Sequence, residues 1–115
     1  MAHVVLTAHA RLAPALAEAG VLAWLEELGL EVALGEAAHL LAFDAGTQEG
    51  ALASVDFYPL DGGLATQVRL QVSRSGAGEQ PRADELAVEL RRLVEADPHW
   101  VLDGLDSRDA RAGIR

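Results

Sequence analysis

Four histidines, 18 carboxylates, seven serine and threonine hydroxyls and no cysteine are the groups through which this 115-residue chain could do chemistry. His3 and His9 stand six apart, which fits no single helix face; His39 precedes an apolar run and His99 follows Pro98. None of the spacings HxH, HxxxH or HExxH occurs, so only the fold could assemble a metal site from distant histidines. They read as separate surface or half-buried side chains. Asp103, Asp106 and Asp109 recur every third residue near Asp97. A calcium loop needs aspartates at alternate positions, a central glycine and a bidentate glutamate, so this segment reads instead as an acidic, solubilising tail. Glu26-Glu27 and Glu85/Glu89 fall on the solvated faces of helices rather than in acid–base pairs.

The remaining groups point the same way. No serine or threonine lies in GxSxG or SxxK. Gly62-Gly63 are followed by a strand beginning at Leu64 and form a turn, not a phosphate cradle. Gly76-Ala77-Gly78 does precede a helix, but Glu79 and the absence of lysine make a poor anion site. Lacking cysteine, the chain has no disulfide, thiol nucleophile, thiolate zinc site or iron–sulfur cluster. Lacking lysine, it has neither a Schiff base nor a Walker-type phosphate lysine. The expectation is a protein without catalytic set, metal or cofactor. A small enzyme pairing His39 or His99 with an aspartate is the one catalytic arrangement left open.

Composition bounds the partners. A net charge of −9 argues against nucleic acid, because counterion release needs clustered cations. The five aromatics, Trp24, Trp100, Phe43, Phe57 and Tyr58, offer few platforms for stacking a base. Apolar runs are broken well short of the roughly 20 residues of a membrane-spanning helix. Residues 1–10 carry no cationic n-region, and with no disulfide required the expected location is the cytoplasm. Ala and Leu supply 41 residues while Lys and Asn are absent and Ile114 is the one isoleucine, the mark of a GC-rich bacterial genome.

These groups must be carried by a single small domain, since 115 residues support one core. Over His3-Val4-Val5-Leu6, periodicity does not decide between a short strand and a helical lead-in. Pro14 opens a helix whose apolar band is Leu16, Ala19, Ala23 with Leu22, Leu25 and Leu28, closed by Gly29 as the left-handed cap with Leu30 folding back. Glu31–Leu34 and His39–Phe43 read as short strands around Gly35-Glu36, and residues 46–50 as a loop. Ala53, Val55 and Phe57, then Val68, Leu70 and Val72, alternate with polar residues on either side of Asp61-Gly62-Gly63. That is a hairpin with one buried and one wet face, the wet face carrying Gln67, Arg69 and Gln71. Pro81 opens a second helix with a stripe of Ala83, Leu86, Ala87, Leu90, Leu93 and Val94, which Pro98 ends. Trp100-Val101-Leu102 reads as a last short strand.

The fold class expected is α+β: an antiparallel meander with two helices packed on one face, over residues 1–102, followed by a polar, flexible tail over 103–115. If residues 3–7 form a strand, the order also suits a ferredoxin-like or ACT-like domain, which would bind a small molecule in a regulatory role at strand ends or a dimer interface. Tyr58 on the wet hairpin face and Trp24 at the border of its helix stripe are candidate anchors for a protein partner, joined by Gln67, Arg69 and Trp100.

The segment Val21-Leu22-Ala23-Trp24-Leu25-Glu26-Glu27-Leu28-Gly29-Leu30, followed by short strands and a hairpin, resembles the opening of type III secretion chaperone-like proteins, in particular the YbjN-like group. The resemblance covers Ala13 to Ser73 and continues as topology through the helix after Pro81. The Leu-Asn-rich stretch expected later in that group is missing, since the chain has no asparagine. What the resemblance implies is a small acidic homodimer without enzymatic activity that binds other proteins.

Overall fold

The computed structural model describes residues 2–34, 39–44, 52–74 and 81–108. The elements run β1 (Ala2–Ala10), α1 (Pro14–Glu27), β2 (Leu30–Leu34), β3 (His39–Asp44), β4 (Ala53–Leu60), β5 (Ala65–Arg74), α2 (Pro81–Ala96) and β6 (Trp100–Arg108). All six strands join one antiparallel sheet in the order β2-β3-β4-β5-β1-β6. The expected meander is therefore present as β2 to β5. The opening segment is a nine-residue strand, and it lies inside the sheet, between β5 and β6. That insertion makes two interleaved β-α-β units, the strand order of ferredoxin-like folds, lengthened at one edge by β2 and β3. The helix-first resemblance, which starts at Ala13, does not account for β1.

Alternation sorts the sheet into two faces. Leu6, Ala8 and Ala10 of β1, Leu40 and Ala42 of β3, Ala53, Val55 and Phe57 of β4 and Val68, Leu70 and Val72 of β5 are buried in one cluster with both helices. The residues between them point to the other face, which no described element covers. On α2 the expected stripe is the buried one, with Leu86, Ala87, Leu90 and Val94 inward. On α1 the helix stands where expected, and Leu25 of the expected band is buried with Leu22 and Leu28 packed partly against the core; Ala17 and Val21 are inward in place of Leu16, which is 61% exposed, and of Ala19 and Ala23, which face solvent. This segment is apolar around most of its circumference, so periodicity could not choose its face; packing against the sheet does.

The hairpin forms in the expected register, Ala53↔Val72 through Leu60↔Ala65. Its tight connection runs through three consecutive left-handed residues, Asp61, Gly62 and Gly63, with φ of 51°, 67° and 93°. Two glycines and an aspartate are the residue types that tolerate this backbone. Gly29, at φ 82°, closes α1 for the same reason. The turn expected at Gly35-Glu36, the loop at residues 46–50 and most of the connector after Ser73 lie outside the described residues.

The boundary at residue 102 requires correction. β6 continues to Arg108, with Gly104 to Arg108 paired to Thr7 through His3 of β1. The polar composition of this stretch suits an edge strand with one wet face, and the pairing surface offered by β1 is what the sequence did not display. Residues 109–115 lie outside the described residues.

One buried hydroxyl ties the sheet to the β1–α1 connection. The Thr66 side chain is wholly buried and its Oγ1 donates to the Leu12 carbonyl at 2.9 Å. Thr66→Val keeps the shape but strips that carbonyl of its donor. A loss of about 1–3 kcal/mol of unfolding free energy is expected by urea titration.

Candidate functional site

The uncovered face of the sheet carries His9, His39, Asp56, Asp103, Thr7, Tyr58 and Arg69. Cross-strand register arranges them in lateral rows. One row runs His39–Asp56–Arg69–Thr7–Gly104 over β3, β4, β5, β1 and β6. The next runs Tyr58–Gln67–His9–Val101 over β4, β5, β1 and β6. Neighbouring strands lie about 4.8 Å apart and same-face residues about 6.8 Å apart along a strand, so the two rows form one continuous patch.

Within the patch each histidine has an aspartate. His39 Nδ1 lies 2.6 Å from Asp56 Oδ1, and His9 Nδ1 lies 2.9 and 2.8 Å from the two carboxylate oxygens of Asp103. In the neutral tautomer that donates from Nδ1, Nε2 is left as a lone pair, the orientation a carboxylate imposes on a catalytic or ligating imidazole. His99 pairs locally with Asp97, whose carboxylate also accepts the His99 backbone N–H at 2.9 Å. Three of the histidines thus sit in His–Asp pairs at partly exposed positions. The acidic tail is corrected too, because Asp103 is a strand residue bonded to β1 rather than part of a solvated extension. Half-exposed pairs of this kind are worth at most about 1 kcal/mol each, so they orient rather than stabilise.

What the pairs lack is company. Among the described residues no Ser, Thr or Tyr oxygen is hydrogen-bonded to a histidine, and no three His, Asp or Glu side chains converge as a metal site. Arg69 is exposed, lies opposite Asp56 in register, and has no ion-pair partner among the described residues. Arg91 and Arg92 of α2, by contrast, are joined to Glu95 and Glu89.

Of the five candidate contact residues, three share the patch. Tyr58 is 47% exposed, Arg69 is exposed and Gln67 half-buried between them. The two tryptophans do not join them. Trp100 sits opposite Ala10 on the helix-covered face and is 5% exposed, so it belongs to the core and offers no ring to a partner. Trp24 is half-buried on α1, with its ring centroid 4.9 Å from that of Trp100 and the planes tilted by 52°. The pair closes one end of the core. Sequence reasoning gave no contact role to Asp56, Asp103, His9 or Val101, and it paired His39 with an aspartate without saying which. Strand alternation already placed Asp56 beside Tyr58 on the wet face; the partners across the strands depend on register, which no local pattern carries.

No helix among the described residues is long and apolar enough to cross a membrane. Compared with models of known protein families and with curated protein sequences, the chain matches none. The fold is α+β, with both helices packed against the six-stranded sheet.

Proposed function

We propose that this chain is a small acidic binding domain, chaperone-like or adaptor-like and without catalytic activity, that holds another protein on the uncovered face of its sheet. The observation that carries the reading is the asymmetry of that sheet. Two helices bury one face, while no described element covers the opposite face, which presents Tyr58, Gln67, Arg69 and Val101 in adjacent register. Six strands span about 24 Å, and with about 20 Å along the strands the face measures about 480 Å², some three-fifths of the roughly 800 Å² that one partner contributes to a standard interface. A half-exposed tyrosine beside an arginine with no ion-pair partner among the described residues is the composition of an interface hot spot. Self-association through this face, in a bacterial cytoplasm, is the form of the reading that agrees with the chaperone-like resemblance.

The test is solution mass by light scattering at two concentrations, with NMR signals of the Tyr58 ring and the Gln67 and Gln71 side-chain amides followed alongside. A mass near twice 12.1 kDa, with those signals moving on dilution, is expected. Tyr58→Ala is then expected to weaken the dimer about tenfold or more while leaving the thermal midpoint nearly unchanged. A monomer whose open-face signals also stay fixed in concentrated bacterial lysate overturns the proposal.

The ferredoxin-like strand order favours a second reading, a regulatory domain that binds a small molecule. Native mass spectrometry of the freshly purified protein separates the two: a retained mass below about 1 kDa would support a small-ligand site, and a bare chain would remove it.

A further inference from the structure

β6 is the outermost strand of the sheet, and its outer side pairs with no other strand among the described residues. At nine residues it is longer than the five-residue β2 at the opposite edge. Long free edges are usually blunted by bulges, charges or cover, because their unpaired N–H and C=O groups invite another strand. Here the blunting is local. The ladder to β1 breaks at Asp103, between the Thr7↔Gly104 and Ala8↔Leu102 pairs, and runs regularly from Gly104 to Arg108.

Beside that regular stretch a groove of about 240 Å³ opens between α2 and the sheet, lined by Val4, Ala87, Val88 and Leu105 together with Asp84 and Arg91. Its apolar wall is wet: Val88 is 64% exposed and Leu105 46%. The Arg91 guanidinium is directed to Glu95, its Nε donating at 3.1 Å, and so is already engaged.

From this juxtaposition we infer that the edge of β6 binds an extended, basic segment of another protein, which joins the sheet as a further strand. The backbone of Gly104 to Arg108 supplies the hydrogen bonds, and the pleat sends alternate side chains of the added strand to the two faces. On the helix-covered side those side chains meet Leu105 and Val88, so apolar residues are required there. On the other side they meet solvent and the field of a chain whose net charge is −9, which favours arginine or lysine. This edge is distinct from the open face proposed above, and the two readings fail separately.

The probe is a fluorescein-labelled heptapeptide, Arg-Val-Arg-Val-Arg-Val-Arg, titrated against the full chain by anisotropy and followed by backbone-amide NMR. Controls are the same peptide with glutamate for arginine and a version N-methylated at every backbone amide, which has no N–H on either edge to pair as a strand. Saturable binding below about 1 mM by the arginine peptide alone is expected, with shifts concentrated on residues 104–108. Val88→Glu and Leu105→Glu are each expected to weaken it about tenfold or more, with thermal melting of each variant checking that the fold persists. Equal binding by the N-methylated peptide would reduce the effect to charge alone and overturn the inference. Shifts confined to Tyr58, Gln67 and Arg69, no binding at millimolar peptide, or a dimer that already protects the β6 amides would overturn it as well.

Discussion

Trp100→Ala is expected to remove about 3–5 kcal/mol of unfolding free energy, a large part of the roughly 5–15 kcal/mol that a domain of this size possesses. The ring is 5% exposed and lies on the helix-covered face of β6, so truncation leaves a cavity that an Ala- and Leu-rich surround fills poorly. It also strips Trp24 of its neighbour at 4.9 Å, a tilted aromatic contact worth about 0.5–1.5 kcal/mol beyond burial. Urea unfolding monitored by far-ultraviolet dichroism gives the total, and a double-mutant cycle with Trp24→Ala isolates the contact. A loss below about 1 kcal/mol would return Trp100 to the surface role its sequence position suggested.

Leu6→Ala is the second large effect, expected at about 2–5 kcal/mol. Leu6 is wholly buried at the middle of β1, opposite Leu70 of β5 on one side and Leu105 of β6 on the other. A cavity there loosens the strand that holds the two β-α-β units together. Amide exchange should therefore rise on both β5 and β6, not on one neighbour alone. Leu16→Ala on α1 is the control: at 61% exposure its truncation should change stability by no more than about 0.5 kcal/mol. Reversal of these two magnitudes would mean that β1 is not a central strand.

How far the sequence reached depended on whether a pattern was local. The β4–β5 hairpin was legible because alternation on both sides of Asp61-Gly62-Gly63 and the turn chemistry agree, and both act within about twenty residues. The position of α2 and its inward stripe were legible because Pro81 and Pro98 bracket a segment with one apolar and one charged side. The ends of α1 were equally clear from Pro14 and Gly29. Its inward face was not, since a helix rich in Ala, Leu and Val offers several equivalent stripes.

By itself, then, the sequence determined the element types from α1 onward, the α+β class and the wet face bearing Tyr58, Gln67 and Arg69. It did so because side-chain period and turn residues are properties of neighbouring positions. The tertiary structure alone decided that residues 2–10 form an inner strand, that β6 runs to Arg108, that Trp100 is core, and that His39 and His9 meet Asp56 and Asp103. Those facts rest on register between strands whose paired residues lie up to 105 positions apart, His3 with Arg108, and register is fixed by the burial of the whole sheet rather than by any segment within it.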